Sequence, residues 1–346
     1  MYNFQTKTYV MKIKIIKPSI PIIFIDTFFF IDLVANRHRQ NKSPYFAEEL
    51  ELIDLIEKLT GEKKLLCPQG DQDEEYELGV QNEDEIRKEQ VRLSLGISAM
   101  YHYGVYKYQS QQAVSAYVKK ETELVYDYRS LFRREPIKEL EEVLAQRWVV
   151  DAHLPMPKTF LDSQRKTKKE LAGEFERLRQ EKNKSGMKFK EAFKRELLGK
   201  LEAITHTLQT AIPKLAAQQS LSEEESNGLL VLGDYLSYLS RYSEKEATPV
   251  DVAKFLTSEY YASIPFISIQ SKLYASLLTQ QNPVRDTDNF DFQQASQMLP
   301  FSTYFLTDNS LKHRLTSNPL SLDKEYGVKI YSMREIKNLI NELKKL

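Results

Sequence analysis

Two short apolar segments, one near each end of this 346-residue chain, close on a carboxylate. The first runs from Pro21 to Asp26, and the second runs from Thr303 to Asp308. A short apolar run of this kind is typical of a buried parallel strand, which would deliver its acid to the carboxyl edge of a sheet. Ligands of open α/β sheets bind at that edge. Because two acids are predicted to meet there, the pattern favours a metal site and hydrolytic chemistry.

The composition is that of a globular protein rather than a disordered one, with 41% hydrophobic and 28% charged residues. The chain is too long for one ordinary compact domain, so we expect a core with a large insertion or a second domain. Its formal net charge is zero, so any attraction to nucleic acid must come from a local patch. The single cysteine, Cys67, excludes an intrachain disulfide and fits a reducing compartment.

The apolar stretch at residues 20–35 follows three lysines and superficially resembles a signal peptide. Asp26 and Asp32 interrupt it, and it is shorter than the roughly 20 apolar residues that a membrane span needs. We therefore expect a cytoplasmic protein with no membrane partner.

The two ends of the chain have α/β patterns, whereas the middle has helical periodicity and prolines as breakers. Strands are predicted at 22–26, 64–67, 304–306 and 328–331. Helices are predicted at 46–59, 114–128, 137–149, 168–180, 188–208, 229–242, 288–299, 311–315 and 332–346. Ser332 and Glu335 form a capping box at the last of them. We predict a parallel-sheet core with helices on both faces, made of residues 18–95 and 283–346 and interrupted by an all-α insertion at 96–282.

Asp26 is the first candidate ligand. A charge at the end of a buried strand is costly unless it is paired or binds a metal. The alternative is that Asp26 caps the helix that begins near Phe28. Thr27 fits both interpretations, either as a cap or as a hydrogen-bond donor to the acid.

Two further acidic groups follow predicted strands or begin predicted helices. Glu74 and Glu75 lie in the acidic turn after Pro68, although acids in a first helical turn are often a solvated face that the helix dipole favours. Asp288 and Asp291 are three residues apart, so both would lie on one helix face and suit a shared cation. The alternative is that Asp288 is the helix cap and Asp291 its third residue.

Asp308 ends the second apolar run, between Thr307 and Asn309, which could support it by hydrogen bonds. Carboxylates concentrated in this way repel one another and raise one another's pKa values unless a cation neutralises them. Mg²⁺ or Mn²⁺ suits ligands that are all oxygen, and a water on such an ion can attack a phosphodiester.

The order of these motifs resembles that of the PIN-like nuclease domain, over roughly the first hundred and the last sixty residues. The resemblance is carried by the segments 22–27, 65–68 with Glu74 and Glu75, 288–291 and 299–331. It implies a metal-dependent ribonuclease with catalytic acids Asp26, Glu74 or Glu75, Asp288 or Asp291, and Asp308. In that interpretation Asp26, Glu75, Asp288 and Asp308 hold the metal. The long helical insertion is not part of a minimal PIN domain.

The insertion has the strongest charge bias in the chain, between residues 165 and 200. The residues expected to bind nucleic acid are Arg165, Lys168, Lys169, Lys188, Lys190, Lys194 and Arg195. The alternative is a solvated helix face with interleaved Glu–Lys pairs. Tyrosines 101, 103, 106 and 108 could stack on bases, although burial against the insertion is the favoured role.

These observations predict a nuclease that acts on RNA in preference to DNA, with the insertion selecting the substrate or an inhibitory or complex-forming protein. By analogy of fold, such an enzyme would suit a toxin or a defence effector. The alternative from another class is a PIN-like scaffold without catalysis that binds nucleic acid or protein. A phosphohydrolase of the haloacid dehalogenase type would need a second Asp two residues after Asp26, where Phe28 stands.

Overall fold

The computed structural model describes residues 11–70, 82–146 and 157–346. Within those ranges the chain is mixed α/β, with two small parallel sheets and a majority of helical residues. The strands are β1 Lys12–Ile16, β2 Ile23–Ile25, β3 Glu123–Asp127, β4 Tyr304–Leu306 and β5 Lys329–Tyr331.

Helices account for most of the remaining structure. In chain order they are α1 Thr27–His38, α2 Phe46–Gly61, α3 Glu83–Ser94, α4 His102–Lys119, α5 Pro136–Gln146, α6 Lys158–Lys184, α7 Phe189–Ala216, α8 Glu223–Ser243, α9 Pro249–Leu256, α10 Glu259–Ala262, α11 Pro265–Thr279, α12 Asp288–Met298, α13 Asn309–Thr316, α14 Leu322–Tyr326 and α15 Ile336–Leu343. Short 3₁₀ turns occur at Tyr128–Leu131 and Met333–Glu335. No helix in these ranges is long and apolar enough to cross a membrane.

The larger sheet joins the two ends of the chain. Its strand order is β2-β4-β5, all parallel, with Ile23 opposite Tyr304 and Ile25 opposite Leu306. On the other edge of β2, Leu66 forms a parallel bridge with Ile22, so the predicted strand at 64–67 is reduced to one bridge. The segment that follows β2 in the chain, at Leu66, therefore lies on the outer side of β2, and the strand that follows β4, which is β5, lies on the outer side of β4. The gap between their carboxyl ends is a topological switch point, where open α/β sheets bind ligands.

Side chains from the two faces of this sheet enter different hydrophobic clusters, because successive strand residues point in opposite directions. Ile23, Ile25 and Leu306 pack in a cluster whose buried members come from residues 23–93 and 304–343. Phe24 and Phe305, with ring centroids 4.8 Å apart, pack on the other side with the helices of the middle region. Both faces are thus covered.

The second sheet was not predicted. β1 pairs in parallel with β3, from Lys12 opposite Glu123 to Ile16 opposite Asp127. A helix was predicted over 114–128, but α4 ends at Lys119 and Lys120 adopts a left-handed conformation with φ 57°. In β3 Leu124 and Tyr126 are buried and Val125 is exposed, the alternation of a strand. Its partner lies about a hundred residues earlier, where local periodicity gives no signal.

The prolines of the middle region are expected to break helices, but one of them, Pro213, lies inside α7. It lies in the last turn of the helix, so the helix ends soon after the one hydrogen bond to the preceding turn that the proline removes.

Candidate functional site

Asp26 lies at the carboxyl end of β2 and is 5% exposed. Its Oδ1 accepts a hydrogen bond from the backbone N–H of Phe28 at 3.4 Å, so the residue is the N-cap of α1, as the alternative interpretation held. Its Oδ2 accepts a hydrogen bond from the Thr307 hydroxyl at 2.6 Å. This bond joins residues 281 positions apart across the switch point. The Thr27 hydroxyl is buried without a partner among the described residues.

Asp308 follows β4 in the same way. Its Oδ1 accepts hydrogen bonds from the N–H groups of Ser310 and Leu311, the latter at 3.0 Å, and thereby caps α13. Its Oδ2 accepts one from Arg285 Nη1 at 3.2 Å. Asn309 is exposed at the start of α13.

Asp288 and Asp291 lie in the first turn of α12 and are buried, with Thr287 rather than Asp288 as the N-cap. Arg285 contacts both. Its Nε donates to Asp288 Oδ1 at 3.2 Å, and its Nη2 donates to Asp291 Oδ2 at 3.0 Å. One guanidinium therefore joins three carboxylates, two from the start of α12 and one from the end of β4. Burial alone would lower the pKa of Arg285, but the three acids outweigh it and raise that pKa.

A second arginine lies beside this group, which we call the arginine–aspartate cluster (Arg285, Asp288, Asp291, Asp308 and Arg314). Arg314 is 9% exposed, its Nη2 is 3.8 Å from Asp288 Oδ1, and its guanidinium lies 5.0 Å from the ring centre of Phe292. Burial lowers the pKa of Arg314, and Asp288 partly offsets this. Three carboxylates and two guanidinium groups leave the cluster with a net charge of −1.

The structure thus brings Asp288, Asp291 and Asp308 together, and Asp26 is connected to Asp308 through the adjacent Thr307. Glu74 and Glu75 lie outside the described residues. Across residues 11–70, 82–146 and 157–346, no group of three or more Asp, Glu, His or Cys side chains is arranged to hold a metal ion. In this conformation the acids fit a guanidinium, and a metal ion would have to displace it.

Sequence reasoning missed both arginines. The available signal was the spacing of Arg285 three and six residues before Asp288 and Asp291, which allows one side chain to reach both acids at the start of a helix. Nothing local links Arg285 to Asp308, 23 residues away, because that contact depends on the packing of α12 beside β4.

The segment that carries Arg285 is held by α6. Arg179, 9% exposed, donates to the carbonyl oxygens of Gln280 and Gln281 at 3.1 and 3.0 Å. Glu176 accepts from Arg179 and from the backbone N–H of Val284 at 3.0 Å. α6, which belongs to the predicted insertion, therefore positions Arg285, whose guanidinium neutralises Asp288, Asp291 and Asp308.

The basic residues of α6 and α7 have mixed environments. Arg165 and Arg195 form ion pairs within their own helices, with Asp162 and Glu191 at 3.1 and 3.0 Å, as the solvated-face interpretation predicted. Lys168 reaches α12, with its Nζ 4.8 Å from the ring centre of Phe290. Of the residues expected to bind nucleic acid, the other four, Lys169, Lys188, Lys190 and Lys194, are exposed.

The four tyrosines of 101–108 divide by exposure. Tyr106 is 7% exposed, as favoured from the sequence, and shares a 2.6 Å hydrogen bond with Tyr235. The favoured burial was wrong for Tyr101, Tyr103 and Tyr108, which are each about 40% exposed.

Comparison of the chain with protein-family models, with curated proteins and with solved structures gave no match.

Proposed function

We propose that this chain is a divalent-metal-dependent nuclease built on a PIN-like core, acting on RNA in preference to DNA. The observation that carries the proposal is the position of its acids. Asp26 and Asp308 end neighbouring parallel strands at the switch point, and Asp288 and Asp291 begin a helix whose acids share a guanidinium with Asp308. Buried carboxylates brought together in this way need a cation to neutralise them, and a divalent metal ion is one that suits ligands that are all oxygen.

Mg²⁺ or Mn²⁺ would be held by Asp26, Asp288, Asp308 and Glu75, with Asp291 and Glu74 as neighbouring acids. When bound, the ion would supply a polarised water and stabilise the leaving oxygen of a phosphodiester. Arg285 is 39% exposed at its side chain, so its guanidinium can leave the acids for solvent or for a substrate phosphate. The exposed lysines of α6 and α7 would contribute a salt-dependent attraction to the nucleic acid backbone.

A second candidate is a scaffold without catalysis, and one observation favours it. Asp288, Asp291 and Asp308 are already neutralised by Arg285, and Asp26 and Asp308 already cap helices. A core that has lost its metal would retain this arrangement for stability alone.

Cleavage assays with labelled single-stranded RNA and DNA, in Mg²⁺, Mn²⁺ or chelator, separate the two candidates. The matched variants are Asp26→Asn and Asp308→Asn, because asparagine is as good an N-cap as aspartate and leaves the helix starts intact. Asp286→Asn is the control, since this exposed acid adjoins Arg285 but lies outside the cluster. We expect chelator-sensitive cleavage that falls at least about 100-fold in the two site variants and persists in the control. Cleavage that survives chelator, or equal activity in all variants, rejects the assignment.

Arg285→Gln gives a readout that does not depend on activity. Without the guanidinium, Asp288 and Asp291 are buried charges that Arg314 alone cannot neutralise, so the variant should unfold at a lower temperature. If the acids form a metal site, millimolar Mn²⁺ should raise the melting temperature of Arg285→Gln by more than it raises that of the parent protein. Destabilisation that no divalent ion relieves would support the scaffold instead.

A further inference from the structure

A long groove lies in the helical region between α7, α8 and α11, and no residue of the arginine–aspartate cluster lines it. Its volume is about 900 Å³, within the range of about 300–1,000 Å³ that is typical of small-molecule sites. The residues of α7 that line it run from Glu196 to Thr207, which corresponds to about 16 Å along the helix axis. The apolar wall of the groove includes Ile204, Val231 and Ile267. The groove therefore fits an elongated ligand with an apolar body.

Three hydroxyl groups on the lining have no hydrogen-bond partner among the described residues, namely those of Thr207, Tyr261 and Ser271. All three residues are more than nine-tenths buried, with exposures of 4%, 2% and 7%. Buried polar groups of folded proteins are nearly always hydrogen-bonded, so three unpaired hydroxyls in one groove indicate that a bound molecule supplies the partner. A hydroxyl both donates and accepts, so these groups do not by themselves determine the charge of that molecule.

Glu196 determines the charge at one end of the groove. No Lys, Arg or His of the described residues lies within ion-pair distance of its carboxylate, and Lys182 and Glu202 act on it only at longer range. Burial raises the pKa of this carboxyl to about 6, so it is ionised at neutral pH. A partly buried carboxylate without a counter-charge is costly, and a cationic group of a ligand would neutralise it.

Lys200 is the one cation among the described residues of the lining, and it is already engaged. Its Nζ donates to the Tyr106 hydroxyl at 2.7 Å and lies 4.0 Å from the centre of that ring, while Asp234 acts on it as a counter-charge. Glu223 and Glu224 also line the groove. With Glu196, they make three carboxylates against one ammonium, a net charge of −2, so the lining selects a cation.

The acids lie towards opposite ends of the groove. Lys214, near the end of α7, forms an ion pair with Glu225 at 2.8 Å, which places the start of α8 beside the end of α7. Glu223 and Glu224 are in that first turn of α8, whereas Glu196 lies in the first half of α7. The groove thus has carboxylates at both ends, with the apolar wall and the unpaired hydroxyls along its length.

We infer that this groove binds a linear aliphatic polyamine. Its terminal ammonium groups lie at the two acidic ends, its methylene segments lie along the apolar wall, and its inner amines donate hydrogen bonds to the three unpaired hydroxyls. The site is separate from the proposed nuclease centre and does not depend on it.

Isothermal titration of the full chain, freed of nucleic acid, with spermine and with 1,12-diaminododecane tests the inference at physiological ionic strength. The two probes have the same chain length, and the diamine has methylene groups where spermine has its inner amines. Spermine should bind at least about tenfold more tightly, because its inner amines make charge-assisted hydrogen bonds with the hydroxyls. Ser271→Ala and Tyr261→Phe, which remove only a hydroxyl, should each weaken spermine binding about three- to tenfold and leave binding of the diamine unchanged.

Glu196→Gln should weaken binding of both probes at least about tenfold, because both place an ammonium group on this carboxylate. The carboxylate has no partner in the fold, so the variant should keep the parent melting temperature. The control is Glu202→Gln, which removes an exposed carboxylate from the same helix outside the groove and should change either affinity less than about twofold.

Equal affinities of the parent for the two probes would overturn the role of the hydroxyls. Equal losses in Glu196→Gln and Glu202→Gln would show a general attraction to a negative surface and overturn the role of Glu196. Failure of spermine to bind the parent at millimolar concentration would overturn the site itself.

Discussion

At the scale of single residues, Asp26 and Asp308 divide their two carboxylate oxygens between separate partners. In each, Oδ1 caps a helix through backbone N–H groups, while Oδ2 faces the switch point, towards Thr307 or Arg285. The two interpretations that the sequence left open, helix cap and site residue, are therefore compatible. Asparagine would keep the capping oxygen and replace the other with an amide, so the Asp→Asn variants test the site without removing the cap.

Glu49 gives a prediction about stability at this scale. It is fully buried, and both of its oxygens accept from Asn36 Nδ2, at 3.3 and 3.0 Å. Burial raises the pKa of Glu49, and the Asn36 hydrogen bond offsets this only in part. Because the folded-state pKa lies above the unfolded value, the stability that the protonated form contributes is present at acid pH and is lost as pH rises through the folded pKa. Glu49→Gln should therefore stabilise the fold at pH 7 by about 1 kcal/mol and have little effect at pH 4.

Denaturant unfolding at the two pH values measures this difference. The neighbouring residue Glu48 is the control, because its hydrogen bond with Lys337 lowers its pKa and gives Glu48→Gln the opposite sign at pH 7. A gain from Glu49→Gln that is the same at pH 4 and pH 7 would show that ionisation is not its cause.

At the scale of elements, the sequence predicts a helix, cap or strand well where residues close together in the chain determine it. The helix predicted at 288–299 is found at Asp288–Met298, and the capping box of Ser332 and Glu335 is confirmed. β4 falls where its apolar run predicts. β3 was missed because its strand pairing depends on β1, far away in the chain. Arg285 was missed for a similar reason, since a guanidinium gains its role from partners that only the fold brings to it.

The crossing of α7 and α8 gives an element-scale prediction with an internal control. Gly228→Ala would push a methyl group into Thr207, whose Cβ and Cγ2 are both 2.9 Å from the added atom. The helices would have to separate, so we expect a loss of about 1–3 kcal/mol in the free energy of unfolding. Gly233, in the same helix, has nothing within 4 Å of the added Cβ. Gly233→Ala should therefore stabilise the protein by about 0.5–1 kcal/mol through helix propensity.

Thermal or denaturant unfolding of the two variants measures whether Gly228→Ala destabilises the protein and whether Gly233→Ala stabilises it. If both alanines stabilised the protein, the close contact between Gly228 and Thr207 would be contradicted.

At the scale of the whole molecule, the long middle region separates two strands that must find each other. β2 and β4 lie about 280 residues apart in the sequence but pair directly as parallel strands. The sheet and the candidate site therefore both depend on closing a very long loop. The middle region compensates by packing on one face of that sheet and by holding the 280–285 segment through Arg179 and Glu176. Local sequence patterns predicted that two strands end in acids, but the loop closure that joins them is a property of the complete chain.

Leu306→Ala tests that dependence. Leu306 is fully buried in the cluster that residues 23–93 share with residues 304–343, which also contains Leu52 of α2 and Leu339 of α15. Truncation should cost about 2–5 kcal/mol through lost burial and the cavity left behind. If the two ends form one cooperative unit, amide hydrogens of α2 should exchange faster in proportion to that loss, although the mutated residue lies some 250 positions away.

Leu230→Ala on the exposed side of α8 is the matched control and should change stability by no more than about 0.5 kcal/mol. Exchange in α2 that stays at the parent rate while the C-terminal strands lose protection would mean that residues 23–93 fold without them. In that case β4 would be an addition to a sheet edge rather than the strand that completes it, and Asp308 would not be fixed beside Asp26 by the folding of the core.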